Sequence, residues 1–334
     1  MQEDILIKAV DLKKYFPIKV GFFKTLLSKE TPMVRAVDGV GLSVRRAEIF
    51  GLVGESGCGK TTTGRLLIRL IQPTAGKVFF KGEEISSLTE ENKIRTMRRK
   101  FQIIFQDPYA SLNPRMSIYD AVSEPLHVQQ TVNSEEEVME KVAKVMDDVD
   151  LVPPDEFLYR FPHELSGGQR QRVAIARAFV LEPEFVVADE PLSMLDASTR
   201  SEVGKLILNL VEKFHVSFLY ITHDVALARY MCARIAVMYL GKIVEQGLAE
   251  DVIQNPFHPY TEALIAAVPV PDPTARRTEV VLKGEVPSAI RPPPGCRFHT
   301  RCPYAQERCR SEEPKLVSIK NERFVACHYP LRRS

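Results

Sequence analysis

The chain has 334 residues, 45% of them hydrophobic and 26% charged, the proportions of a globular protein with room for a sizeable core. Forty-five basic against forty-three acidic side chains leave a formal charge of +2, which gives no bulk pull toward a polyanion such as nucleic acid. No stretch approaches the roughly 20 apolar residues that cross a bilayer, and the opening residues, with Glu3 and Asp4, lack the basic-then-apolar pattern of a secretory leader, so a cytoplasmic setting with reduced thiols is expected.

In chain order, the first candidate element is residues 21–29. Phe22, Phe23, Leu26 and Leu27 would share one helical face, flanked by Lys19, Lys24 and Lys29. Such a basic amphipathic segment suits a membrane surface or a partner's flank; a loop packed on its own domain is the plainer alternative. Ile49 to Val53 then reads as a buried strand running into Gly54, Glu55, Ser56, Gly57, Cys58, Gly59, Lys60 and Thr61, with Thr62 next and a helix expected over Thr61 to Leu70. This is G-x-x-x-x-G-K-[ST] in a strand–loop–helix context. Glycines let backbone N–H groups face phosphate oxygens, and the helix adds its positive N-terminal end. Lys60 is placed for the β- and γ-phosphates and Thr61 for Mg²⁺. A bare Gly-rich turn is the rival reading, and the context argues against it.

Between about 108 and 164 the pattern changes to a helical insertion, with Val138, Val142 and Val145 spaced for one apolar face of a charged helix over Ser134 to Asp150. Leu165, Ser166, Gly167, Gly168 and Gln169 precede an Ala-rich run to Arg177. Ser166 is a good N-cap, so a second helix N-terminus able to hold an anion is expected there. One nucleotide loop and two such helix ends suggest a dimer whose subunits complete each other's sites. Phe185 to Ala188 reads as a buried strand delivering Asp189 and Glu190, where a P-loop enzyme holds Mg²⁺ and polarises its attacking water. Val216 to Ile221 reads as another strand, ending at Thr222, His223 and Asp224. Alternating apolar runs and amphipathic segments, with reactive groups at strand ends, make the fold class α/β.

These motifs, over roughly residues 5 to 250, resemble the ATP-binding cassette family in kind and in order. Leu165 to Gln169 resembles its signature, which reaches the ATP of the partner subunit. Gln106 resembles the Q-loop that touches the metal, and Asp189 and Glu190 the Walker B pair with Glu190 as catalytic base. Asp196, in Ser193-Met194-Leu195-Asp196, resembles the D-loop, and His223 the switch histidine that senses the γ-phosphate. Tyr15 stands where the family keeps an aromatic residue against adenine, with Phe16 as the alternative. The resemblance implies a RecA-like P-loop NTPase sheet core with an antiparallel β subdomain and the helical insertion. Two departures are visible: Ala47 for a usual turn glycine, and Leu192 for a usual threonine after Glu190-Pro191. Cassettes acting on DNA carry a longer insertion, and translation-associated ones carry two cassettes in one chain.

After about residue 250 the composition turns Pro-rich, so residues 1–250 are expected to form the cassette and 251–334 a small Cys-rich extension. Cys296, Cys302, Cys309 and Cys327 are spaced C-x5-C-x6-C-x17-C, which matches neither a zinc ribbon nor a ferredoxin run, so the chemistry alone leaves zinc and an iron–sulfur cluster open. His299 and His328 are near enough in sequence to substitute as ligands. Asn255 to Thr261 and Gly295 to Pro303 look like the C-terminal extension of oligopeptide and dipeptide importers, with the longer loop before Arg35 favouring the second, F-type ATPase. That resemblance implies a [4Fe–4S] cluster on the four cysteines, with zinc as the alternative. It implies as partners a second, homologous ATPase (a homodimer in isolation), two permease subunits and an extracytoplasmic binding protein, at the cytoplasmic face of the membrane. Some relatives import oligosaccharides or nickel, so the substrate class stays open at this level.

Overall fold

The computed structural model describes residues 4–18, 32–268, 284–320 and 322–331. The amphipathic segment proposed at 21–29 lies outside them. The chain divides into two compact units: one runs up to Ser43 and takes in Phe50–Ser87 and everything from Ile221 onward, and the other comprises Val44–Ile49 and Leu88–Tyr220. The Cys-rich extension thus belongs to the same unit as the nucleotide loop.

In the first unit, a four-stranded sheet runs in the order Met33–Arg45, Ile5–Pro17, Ala75–Phe80, Glu83–Glu84. Its central pair is antiparallel, Ile7 facing Phe80, and burial along Ile5–Pro17 is only intermittent, as expected for a sheet with one covered face. A second sheet carries Ile49–Val53, whose residues are all buried because it is a continuous apolar run. It pairs in parallel with Arg234–Tyr239, Phe50 opposite Arg234. Arg234–Tyr239 pairs antiparallel with Lys242–Leu248, and the extension continues this sheet with Arg323–Val325 and Val317–Lys320. Glu245, fully buried, explains that attachment. Its carboxylate accepts the N–H groups of Phe257 and His258 at 2.9 Å and the Arg323 guanidinium at 2.8 Å. A buried carboxylate without such partners would be strongly unfavourable.

In the second unit, Phe101–Ile104 and Phe185–Asp189 pair in parallel, Phe101 opposite Phe185. Phe185–Asp189 is buried at every position, with Ser217–Thr222 on its other side. The insertion forms helices Ile118–Gln129, Glu135–Asp148 and Asp155–Leu158. Glu135–Asp148 starts where Ser134 accepts the Glu137 N–H at 3.2 Å, and it buries Val138, Val142 and Val145, the face its spacing predicts. Among the described residues no helix is long and apolar enough to cross a membrane.

Candidate nucleotide site

The first unit supplies the phosphate loop. Val53 ends its strand and helix Lys60–Leu67 begins just after Gly59. Gly59 sits at φ 110, and a Cβ there would lie 2.1 Å from the Ala36 carbonyl oxygen, so no other residue fits. Lys60 is buried, its ammonium donating to the carbonyl oxygens of Gly54 at 2.8 Å and Glu55 at 3.0 Å. It is thus folded onto the loop it will serve. Cys58 is buried beside it, and burial pushes the thiol up despite the nearby Lys60 charge, so it is an unreactive packing residue. Thr61 and Thr62 are half-buried in the first turn of the helix.

Tyr15 is half-buried and donates its hydroxyl to Asp38. Burial, and then the Asp38 hydrogen bond and charge, push its pKa up to about 12. Burial alone would raise Asp38, but the Tyr15 hydrogen bond and the Arg297 and Lys242 charges outweigh it and hold the carboxyl below its usual range. Phe16 is the more exposed ring, at 38%, with the Lys14 ammonium 5.2 Å from its centroid. His223 is exposed at the end of Ser217–Thr222, just before Asp224, which caps helix Val225–Met231 by accepting the Ala226 and Leu227 N–H groups.

The second unit supplies the acidic and signature residues. Asp189 is the buried last residue of its strand, and Glu190 follows half-buried at φ 49, a left-handed conformation costly for a residue with a side chain. Gln106, exposed just beyond Phe101–Ile104, donates its side-chain amide to Glu190 Oε2 at 3.0 Å. Parallel pairing of the two strands brings these residues, 84 apart in sequence, together. Helix Gly167–Phe179 opens with a capping box: Ser166 Oγ accepts the Gln169 N–H at 3.3 Å, and Gln169 Oε1 accepts the Ser166 N–H at 3.0 Å. Leu165 is buried and anchors the turn. At Gly168 a Cβ would lie 2.5 Å from Thr199 Cγ2, which fixes the packing against helix Ala197–Phe214. Asp196 caps that helix. Hydrogen bonds from Ser198 Oγ, the Thr199 N–H and Thr199 Oγ1 hold its carboxylate well below the usual range.

Sequence reasoning did not reach two arginines of the signature helix. Arg170 donates to the Pro162 carbonyl at 2.5 Å and lies 3.9 Å over the Tyr109 ring, while Arg177 donates to the Ser111 carbonyl at 2.9 Å and to Glu124 at 2.5 Å. They tie the signature helix to the segment just after Gln106. Their i, i+7 spacing on one helical face was the available signal.

A phosphate loop after a strand, a carboxylate pair at a second strand end and a capped Ser-Gly-Gly-Gln helix are the parts of a cassette ATPase. Residues 37–193 match the family model described as ABC transporter, and residues 244–309 match that of the oligopeptide/dipeptide transporter C-terminal region. The chain is 44% identical over 328 residues to the oligopeptide transport ATP-binding protein AppF of Bacillus subtilis, covering 98% of each chain. This chain belongs to the ATP-binding cassette family of peptide transporters. The cassette is also 46% identical to a probable peptide ABC transporter ATP-binding protein, y4tS, of Sinorhizobium fredii, over 97% of this chain and 90% of that protein. Among solved structures it resembles the ATP-binding cassette MJ0796, described as a dimer in a post-hydrolysis state bound to ADP and Pi, with TM-score 0.63 and 26% identity over 73% of this chain and 99% of that one. The cassette binds ATP and is an ATP hydrolase of P-loop fold.

The four late cysteines lie in the first unit. Cys309 is buried and the other three are half-buried, none in a disulfide. Burial pushes Cys296 up to about 11 and Cys327 up to about 12, and each feels the charges of neighbouring thiols, Cys327 those of all three others. Yet among the described residues no three His, Cys, Asp or Glu side chains converge to hold a metal ion. The four thiols nevertheless lie near enough for their charges to be felt at Cys327.

Proposed function

We propose that the chain is the ATP-hydrolysing motor subunit of a membrane importer for di- and oligopeptides. The observation that carries this is the match of residues 244–309 to the oligopeptide/dipeptide transporter C-terminal region, in a chain that aligns nearly end to end with peptide-transport ATPases. Residues 1–250 form the motor and 251–334 its extension, and the protein works at the cytoplasmic face of the membrane, docked on two permease subunits fed by an extracytoplasmic binding protein. In the cell it pairs with a second, homologous ATPase.

Two cassettes close around two ATP molecules. Lys60 leaves the Gly54 and Glu55 carbonyls to reach the β- and γ-phosphates, with the loop N–H groups and the helix N-terminus completing the cradle. Tyr15 packs against adenine. Ser166 to Gln169 offer their helix N-terminus to the γ-phosphate held by the partner, and Asp196 shapes that junction. Glu190 orients the attacking water and accepts its proton, and Gln106, hydrogen-bonded to it, reports the state of the site to the permease side. His223 holds the γ-phosphate in the closed state. The hydroxyl of Thr61, the carboxylate of Asp189 and the amide oxygen of Gln106 are the hard oxygen donors that Mg²⁺ prefers, and bound there it would neutralise phosphate charge.

Cys296, Cys302, Cys309 and Cys327 hold a [4Fe–4S] cluster with a structural role. Four cysteines whose thiols feel one another's charge supply the donor number that such a cluster takes, which supports it. Protein purified without oxygen should carry iron and acid-labile sulfide with broad visible absorption; preparations with stoichiometric zinc, or with no metal, would remove the cluster. For the function itself, the test is reconstitution with cognate permease and binding protein. ATP hydrolysis should rise with peptides and coincide with their uptake, whereas stimulation by oligosaccharides or nickel alone would reassign the cargo.

A further inference from the structure

The polar groups of Glu55, the second residue of the phosphate loop, are all engaged, and two of their partners come from the C-terminal extension. Its N–H donates to the Tyr260 hydroxyl at 2.9 Å, and its carboxylate takes a two-pronged grip from the Arg301 guanidinium at 2.8 and 3.1 Å. Its carbonyl accepts the Lys60 ammonium at 3.0 Å and closes a turn with the Cys58 N–H. The Arg301 side chain is only 9% exposed and Glu55 28%, so the pair is shielded from bulk solvent rather than being a loose surface bridge.

The parts behind this contact are stiff. Tyr260 is fully buried with its ring centroid 4.6 Å from that of Tyr239, and Phe298 packs against both. Helix Pro259–Ala266, which carries Tyr260, is capped by His258. Arg301 lies in a tight turn, its N–H bonded to the Phe298 carbonyl at 3.0 Å. Four residues earlier Arg297 makes a parallel contact, donating to the Leu240 carbonyl at 2.5 Å and to Asp38, the residue that also holds Tyr15. Both arginines stand next to cysteines of the extension, Cys296 and Cys302.

We propose that Arg301 and Tyr260 are positioning residues for ATP: they hold Glu55, and through it the first half of the phosphate loop, in its nucleotide-ready shape once Lys60 lets go of the loop carbonyls. The loop is fastened from inside by Lys60 and from outside by the extension. ATP takes away the inner fastening. The outer one keeps the loop from paying an ordering cost on binding, which is preorganisation. Glu55 therefore acts as an anchor and not as a phosphate ligand, and ATP affinity depends on a segment far outside the cassette motifs.

The charge signs make this testable. If only the electric field at the phosphates mattered, removing the Glu55 carboxylate would tighten ATP binding and removing the Arg301 charge would weaken it. A clamp predicts that both weaken it. Glu55→Gln, Arg301→Gln and the double variant should each raise the ATP Kd and KM by about fivefold, the double no more than either single change. Their kcat should fall by less than about threefold, and Arg301→Lys should recover part of the loss. Thermal midpoints of the variants identify a folding defect, and a fluorescent ATP analogue reads affinity directly. Tighter binding by Glu55→Gln, wild-type affinity in both single variants, or multiplying effects in the double variant would each overturn the clamp. Because the inference rests on ATP occupying this loop, Lys60→Ala serves as a control: if it binds nucleotide normally, the assignment of the loop fails, independently of the clamp.

Discussion

Ala47 and Glu190 share a backbone state that their side chains disfavour, at φ 51 and φ 49, and the two have different consequences. Ala47 occupies a turn in which Glu48 Oε2 accepts the Arg45 N–H at 2.7 Å and Ser217 Oγ accepts the Ala47 N–H at 2.9 Å. It is exposed, so its methyl group contributes no packing to offset the left-handed conformation. Such a conformation costs a Cβ-bearing residue roughly 1–2 kcal/mol, less what glycine loses in unfolded-chain entropy. Ala47→Gly should therefore stabilise the protein by about 0.5–1 kcal/mol with no change in ATP turnover; a lowered denaturation midpoint would contradict this. At Glu190 the strain lies beside the Gln106 contact, so relaxing it would move the carboxylate proposed to orient water. Leu192, the other departure from the family pattern, is 1% exposed and simply adds to the core.

At the level of elements, the pieces legible in sequence were those whose cause is local. The strand–loop–helix around Lys60, the Ser166 cap and the apolar stripe of Val138, Val142 and Val145 follow from glycine geometry, capping chemistry and helical period, and they stand where those rules put them. The attachment of the extension was not legible, because it depends on long-range partners: Glu245 with Arg323, Glu55 with Arg301, Asp38 with Arg297. No periodicity announces such pairs. The cap of helix Pro259–Ala266 gives that attachment a pH dependence. His258 Nδ1 accepts the Tyr260 N–H at 3.0 Å, which requires the neutral ring, and complete burial lowers its pKa from 6.5 to about 3. Between these values the unfolded chain binds a proton that the folded one does not. Stability is therefore whole above about pH 6.5 and lost as pH falls, by at most about 1.4 kcal/mol per unit from this group. The neighbouring charges, Glu245 and Arg323, neutralise each other. His258→Asn keeps a capping side chain that does not titrate, so it should flatten the stability profile between pH 6 and 4. An unchanged slope in that variant would assign the acid sensitivity elsewhere.

At the scale of the whole molecule, each half of the chemistry is built on a different compact unit, with Lys60 and His223 on one and Glu190, Gln106 and Ser166 on the other. The chain holds two helix N-termini of interest, the capped one at Ser166 and the one that ends its own phosphate loop. We assign the one at Ser166 to the nucleotide of a partner cassette; the cassette that this chain resembles is described as a dimer. In the dimer proposed above, two ATP molecules would bridge the cassettes and their hydrolysis would set its lifetime. Removing the Glu190 carboxylate, the proposed base, while keeping the shape of the side chain should uncouple the two. In Glu190→Gln the hydrogen-bonding contact with Gln106 can persist through the amide, while the proton acceptor is gone. Turnover should fall by about a hundredfold or more. ATP affinity should be kept, and the purified variant should elute as an ATP-dependent dimer in size-exclusion chromatography, whereas the unaltered protein returns to monomer as it hydrolyses. If Glu190→Gln hydrolyses ATP at the normal rate, Glu190 is not the base. If it is inactive but stays monomeric at saturating ATP, the signature helix of this chain is built for the nucleotide of a different, non-identical cassette.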